Sequence, residues 1–221
     1  SGTVSDLVKL ATCRKKLPYV TVATAASMNG YASAIAAIEA GGIKRTIECH
    51  QPLAVIGDLD VIRAAPPAMT AAGVGDLMSK PVCNADWMLS HLVRGEYYCE
   101  EPLRVTGDAA EAVGRCAAAI RAGEPSAVET LFHALLLSGF SMKIAGSSAP
   151  ASGGEHLISH YWDMRAPERG RQINLHGAQV GVATLIPATL YGLLRREWHA
   201  LVGGATCDES MHGEHDGDGA M

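Results

Sequence analysis

Hydrophobic spacing divides the chain at a run of alanine and proline, Ala64-Ala65-Pro66-Pro67. Before that break the pattern mixes two periods. Apolar residues at positions 4, 7, 8 and 11 follow Ser1-Gly2-Thr3 and predict a helix at the start. Residues 18–23 (PYVTVA) and 53–58 (LAVIGD) read as short buried strands, and 43–49 (IKRTIEC) alternates as an exposed one. The loop Thr24-Ala25-Ala26-Ser27-Met28-Asn29-Gly30 follows the first strand, at the end where open α/β sheets bind ligands; a plain turn is the simpler reading of its small polar residues. After the break the periods are helical, over residues 68–77, 85–92, 107–121, 126–137, 138–148, 155–164 and 177–198. The tail, residues 207–221, has no apolar period and reads as a solvated segment. Its Asp216 and Asp218 stop short of a calcium loop, and His212 and His215 offer only adventitious metal binding. The predicted organisation is an α/β segment over 1–65, an all-α domain over 66–206 and a flexible tail over 207–221.

Candidate chemistry concentrates in residues 147–181. His156 and His160 lie four apart in EHLISHYWDM, so a helix there projects both imidazoles from one face, a turn apart. His176 follows just before a glycine and a further apolar run. A divalent ion held by three protein ligands with one open position still needs a carboxylate, and the best candidate is Asp76 in AGVGDLMSK. An ion pair with Lys80, one helical turn on, is the structural alternative for Asp76. At the amino end, Gly2 and Thr3 before a helix make either a simple cap or an anion site, where free amides and the helix dipole point at a phosphate. Lys44 and Arg45 face either a substrate phosphate or solvent. His133, inside an apolar run, reads as a core histidine; His50 and His199 have no partner pattern.

Composition narrows the function classes. The 221 residues carry a net charge of −5, with 48% hydrophobic and 19% charged residues, as in an ordinary globular protein. The acidic balance argues against a nucleic-acid partner, and the lone basic cluster Arg14-Lys15-Lys16 reads as a solvated helix end. No uninterrupted run of eighteen apolar residues suggests a membrane span, and SGTVSDLVKL does not read as a signal peptide. The six cysteines are scattered without a C-x-x-C pair, which predicts reduced thiols in a cytoplasmic protein.

Four strings, TAASMNGYAS, AGVGDLMSK, PASGGEHLISH and LHGAQVGVAT, occur in an order and at separations that resemble the sn-glycerol-1-phosphate dehydrogenase group of the iron-containing (metal-dependent, group III) alcohol and polyol dehydrogenases. The resemblance covers most of residues 1–200. It implies an α/β remnant of a nucleotide-binding domain followed by an all-α metal-binding domain, cut short at both ends relative to the family. It also implies a metal held by Asp76, His156 and His176, with His160 contacting substrate beside it. Asp76 and His160 then count as the catalytic residues. Asn29 stands where many members have a substrate-contacting Asp, so Asn29, Asp76 and His160 form the implied substrate set. Gly2, Thr3, Asp6 and Lys9 match the tail of the family's glycine-rich phosphate loop. With Thr24, Ser27 and Ser33 they place NAD(H) or NADP(H), the implied cofactor-binding residues being Gly2, Thr3, Asp6, Thr24, Ser27 and Ser33. The implied reaction interconverts dihydroxyacetone phosphate and sn-glycerol 1-phosphate, with zinc, nickel or iron as the ion. A small phosphorylated polyol or ketone is the implied partner, in a homo-oligomer with neither nucleic acid nor membrane. Two alternatives stay open: a dehydrogenase of unphosphorylated polyols such as glycerol, and a metal-binding helical module without turnover.

Overall fold

A computed structural model describes residues 2–202; the tail and its histidines and aspartates lie outside the described residues. The chain opens with α1 (Gly2–Lys15), followed by strand β1 (Val20–Ala23), a short 3-10 turn over Gly30–Ala32, and the hairpin β2 (Ile35–Ala40) and β3 (Ile43–Glu48). Strand β4 (Ala54–Gly57) and α2 (Leu59–Arg63) complete the α/β portion. Seven further helices make up the rest: α3 (Pro67–Met78), α4 (Lys80–Arg94), α5 (Glu101–Arg115), α6 (Ala117–Ala122), α7 (Pro125–Ala145), α8 (Gly154–Arg165) and α9 (His176–Val202). The fold is thus a small α/β portion followed by an all-α portion. Residues up to Pro187 form one compact unit; a second begins at Ala188, and its described part is the latter half of α9.

Local sequence accounts for several of these elements. β2 and β3 pair antiparallel around Gly41 and Gly42, whose φ angles of 62° and 75° match the tight two-residue turn that suits strand twist. Asp58 caps α2, its carboxylate accepting from the amides of Asp60 and Val61. Proline opens α3, α4, α5 and α7 within the first two positions, where a missing N–H costs nothing.

The β1–β4 pair is parallel, Val20 opposite Ala54 through Ala23 opposite Gly57. Both strands were expected to be buried, yet Val22 is 62% and Ile56 53% exposed. In a sheet of two strands nothing among the described residues covers that face, and only the Ala23 side reaches the core. The hairpin strand β2 escapes the sequence reading because IAAIEA lacks clean alternation. One predicted helix, 107–121, breaks at Cys116 into α5 and α6, whereas the two predicted at 126–137 and 138–148 fuse into α7. Small residues at the join, Ser138 and Gly139, are buried inside the longer helix and do not end it.

α7 is the centre of the first unit. Leu131, Phe132 and Leu135 on it pack with Ile62 of α2, Leu77 of α3, Val113 of α5 and Ile120 of α6. By length and hydropathy α7 and residues His176–Trp198 of α9 would each suffice to cross a bilayer, but α7 is a core helix. His133, expected inside, lies on the exposed side of α7, because the neighbouring buried positions 131, 132, 134 and 135 point the other way. The five described cysteines, 13, 49, 83, 99 and 116, are free thiols.

α3 and α9 meet backbone to backbone. A methyl group on Gly75 would run into the carbonyl oxygen of Gly177, and one on Gly181 would sit 2.9 Å from the Gly75 Cα. Gly107 in α5 faces open space instead. Gly75→Ala is therefore expected to lower stability by at least about 2 kcal/mol, as overpacking does. Gly107→Ala should raise it by about 0.5–1 kcal/mol through helix propensity. Urea unfolding of both variants beside the parent checks the pair of signs; a harmless Gly75→Ala would refute the close crossing.

Candidate metal centre and its surroundings

Three helices deliver the central side chains. α3 carries Asp76 near its end, α8 carries His156 in its first turn, and α9 begins at His176. One ligand atom from each of these residues lies within 4.8 Å of the others. Asp76 is 1% exposed and His156 6%. His160, a turn beyond His156, closes the group: its ring centroid is 6.3 Å from that of His156 and 6.0 Å from that of His176, with which it is stacked.

Each side chain is held by groups that leave one atom pointing inward. The Asn29 amide donates to Asp76 Oδ2 at 3.0 Å. Asp76 Oδ1 is buried with no hydrogen-bond partner, 3.7 Å from His156 Nε2. An orphaned buried carboxylate oxygen facing two imidazoles is costly by itself and is what a divalent ion would satisfy. His156 Nδ1 lies 2.7 Å from Glu155 Oε1, so the opposite nitrogen faces Asp76. Such a carboxylate behind an imidazole fixes its orientation and raises its basicity as a ligand. Glu155 is fully buried and also accepts from the Gly153 amide at 2.9 Å. Asp86 of α4 accepts from the Gly154 amide at 2.6 Å, tying the first turn of α8 to α4. On the other side, Ser159 Oγ contacts His176 Nδ1 at 3.5 Å and Gln179 Oε1 at 3.4 Å. Gln179 in turn donates to Asp163 Oδ1 at 2.7 Å, and Asp163 Oδ2 accepts from Lys44 Nζ at 2.5 Å.

Electrostatics sort the three imidazoles. Burial alone would push the Asp76 carboxyl up; His156 and His176 beside it, with Lys80 behind, hold it below the usual carboxylate range. Burial likewise opposes charge on His156, but Asp76 and Glu155 outweigh it and raise that ring. His160 and His176 are both pushed down to about 4, by burial first, with Lys44 and the other imidazoles adding to it. Both therefore stand neutral at neutral pH, the form that ligates metal or accepts a hydrogen bond.

The implied cofactor and substrate positions divide into two groups. Gly2 and Thr3 lie in the first turn of α1, and Gly2 approaches Met28 of the loop after β1. Thr24 is exposed and Ser27 half-buried in that loop. Gly2, Thr3, Thr24 and Ser27 therefore border one helix N-terminus and one strand end. Asp6 and Ser33 turn inward: Asp6 pairs with Lys9 at 3.5 Å, and the buried Ser33 hydroxyl accepts from Lys9 Nζ at 3.2 Å. Lys9 is itself spent on the carbonyls of Gly30 and Ile35. Asn29 adjoins the histidine cluster through its amide, while its side chain donates to Ser138 Oγ at 3.1 Å. Lys80 is buried and its ammonium has no hydrogen-bond partner, so the Asp76–Lys80 alternative is not a direct contact. Glu155, Asp86, Ser159, Asp163 and Gln179 escaped the sequence reading. Adjacency to His156 was the one hint for Glu155; the others are brought in by packing.

The comparisons bear on this arrangement. Residues 1–66 match the family model described as iron-containing alcohol dehydrogenase. The chain is 43% identical over 192 residues, 87% of its length, to a protein of Pyrococcus furiosus named glycerol-1-phosphate dehydrogenase [NAD(P)+], of which it covers 54%. Among solved structures, a probable glycerol dehydrogenase from Sinorhizobium meliloti superposes over 92% of this chain and 58% of its own, with a TM-score of 0.71 and 23% identity. An iron-containing alcohol dehydrogenase from Thermotoga maritima superposes over 95% and 64%, with a TM-score of 0.62 and 16% identity. At those identities the two structures speak for the fold alone. The chain belongs to the iron-containing alcohol dehydrogenase family. Within it, the similarity runs to proteins named glycerol-1-phosphate dehydrogenase, and the chain spans about half the length of the curated relatives it matches.

A stability test follows from the two depressed imidazoles. Their folded values of about 4 lie below the ordinary 6.5, so the unfolded chain binds more protons in between. The associated stability is complete above pH 6.5 and is lost as pH falls toward 4. His156, raised, acts in the opposite sense, and its contribution fades as pH rises through its folded value. For metal-free protein the melting temperature is expected to fall across that acidic window, less steeply in His160→Gln, which removes one of the two rings. Equal slopes in parent and variant would rule out a half-buried, neutral His160.

Proposed function

We propose that this chain carries the metal-binding and substrate-binding part of an NAD(P)-linked oxidoreductase that interconverts dihydroxyacetone phosphate and sn-glycerol 1-phosphate. The observation that carries the reading is the convergence of Asp76, His156 and His176, with Asp76 Oδ1 buried and unsatisfied between the imidazoles. Two imidazoles and a carboxylate suit zinc, nickel or iron. An ion held there would supply Lewis acidity to the oxygen of a secondary alcohol or ketone.

The chain's own residues perform the remaining tasks. Asp76 and the two imidazoles present ligand atoms in fixed directions, because Asn29, Glu155 and Ser159 occupy their other polar atoms. Neutral His160, half-buried beside the cluster, accepts a hydrogen bond from a substrate hydroxyl and orients it. Its low proton affinity suits hydrogen bonding better than permanent proton storage. Burial of Asp76 and His156 keeps bulk water from the ligand side. Gly2, Thr3, Thr24 and Ser27 line the side where the α1 N-terminus and the loop after β1 come together, and these are the residues offered to the pyrophosphate and nicotinamide portions of NAD(H) or NADP(H). The cofactor supplies the hydride. A cytoplasmic setting and a homo-oligomer accompany the reading, which agrees with the free thiols.

Elemental analysis of purified protein is expected to give one divalent ion per chain, with that stoichiometry lost in Asp76→Asn and in His176→Ala. Retained metal in both variants would exclude this cluster as the metal site. Fluorescence titration with NADH or NADPH separates the oxidoreductase from the module without turnover: metal uptake with no nicotinamide binding favours the module. Where turnover is measurable, His160→Ala should lower kcat/KM for dihydroxyacetone phosphate by about two- to tenfold, as for one hydrogen bond between neutral groups, while leaving metal content unchanged. Preference for glycerol over its phosphate would instead select the unphosphorylated polyol reading.

A further inference from the structure

Among the described residues, a cation whose charge reaches the histidine cluster comes from the β2–β3 hairpin. Lys44, on β3, reaches α8 and pairs with Asp163, the side chains being 16% and 7% exposed. Asp163 continues the inner face of α8: His156, His160 and Asp163 follow at spacings of four and three, so they stack along one stripe. Measured along the helix axis, Asp163 lies roughly 4.5 Å beyond His160 and roughly 10 Å beyond His156. Lys44 therefore stands past His160, on the side away from Asp76.

Lys9 and Lys80 are both buried. Lys9 is 1% exposed and bound to two backbone carbonyls and Ser33. Lys80 is 2% exposed with no hydrogen-bond partner, and its charge acts on Asp76 and Cys83, behind the cluster. Lys44 is the lysine whose charge acts on both His160 and His176. Arg45, next in the strand, points to the opposite face of the hairpin and is exposed.

Resting on the oxidoreductase reading above, we infer that Lys44 is the specificity-determining residue that receives the phosphate of a phosphorylated three-carbon substrate. Asp163 holds its ammonium at the rim of the site. The geometry has the required order along α8: ligand imidazole, hydrogen-bonding imidazole, cation. A substrate whose secondary oxygen lies at the cluster extends its phosphate past His160 toward Lys44. Asp163, its Oδ1 engaged by Gln179, prepositions Lys44 through Oδ2 and is the partner that the phosphate displaces. A strongly hydrated, flexible ammonium exchanges such a partner for a doubly charged phosphate readily.

The test is calorimetric titration of the zinc-loaded chain with sn-glycerol 1-phosphate and, separately, glycerol. Lys44→Ala is expected to weaken binding of the phosphate ester by roughly tenfold or more, the loss of one charge-assisted hydrogen bond. Glycerol binding should stay unchanged, and Lys44→Arg should restore most of the loss. Asp163→Asn keeps the acceptor for Gln179 and removes the counter-charge; it is expected to leave affinity for the ester undiminished. If Lys44 served only to anchor Asp163, Lys44→Ala and Asp163→Asn would weaken both ligands alike, and that result overturns the inference. So does full affinity for the ester in Lys44→Ala. Parent protein that takes up zinc yet binds no ester defeats the substrate reading itself, and the inference with it. Zinc stoichiometry of each variant reports whether the site has stayed assembled.

Discussion

The arrangement at the histidine cluster depends on how closely two helices approach. Asp76 on α3 and His176 on α9 are a hundred residues apart, and a short carboxylate reaches an imidazole of another helix only where the backbones nearly touch. Gly75, next to Asp76, and Gly177, next to His176, remove the side chains that would keep the helices at ordinary packing distance. The same glycines that permit the crossing flank the residues the crossing brings together. Backbone contact also makes the position stiff, since there is no flexible side chain between the helices to adjust.

A second constraint acts on α8. Its first turn has free amides and must carry His156 at a fixed angle. Asp86 takes the Gly154 amide, and Glu155 takes both the Gly153 amide and His156 Nδ1. One buried carboxylate thus satisfies the helix start and orients the ring. Burying Glu155 and Asp76 near one another, with Asp86 half-buried beside them, would be unfavourable without cations, and the rise in His156 and the presence of Lys80 reflect that balance. A divalent ion between Asp76 and the imidazoles would relieve the same accumulation of negative charge.

Across the cluster, the polar chain from His176 through Ser159, Gln179 and Asp163 ends at Lys44 on the hairpin. It couples three elements, β3, α8 and α9, through polar contacts. Lys44 lies among residues 1–66, matched by the family model, whereas its partners lie far downstream. The α/β portion therefore contributes a charge to the helical portion.

Much of this was written in the residues themselves. Spacing of four between His156 and His160 and the change of hydrophobic period near Pro66 were enough to indicate helices, while the grouping of Asp76 with His156 and His176 came from the resemblance of their flanking strings to the family. Helical and strand periods are local, because a side chain's direction follows from its own backbone. What the sequence left open were facts of distance: that α7 runs unbroken through Ser138 and Gly139, that Val22 and Ile56 have no cover among the described residues, and that His133 faces outward. Tertiary packing alone decided which polar side chains stand behind the histidines, since Glu155, Asp86, Ser159, Gln179 and Asp163 sit on elements whose relative placement no period encodes. It also turned Lys44 inward and left Arg45 in solvent, because a strand alternates its faces but only its neighbours determine which face meets the helix.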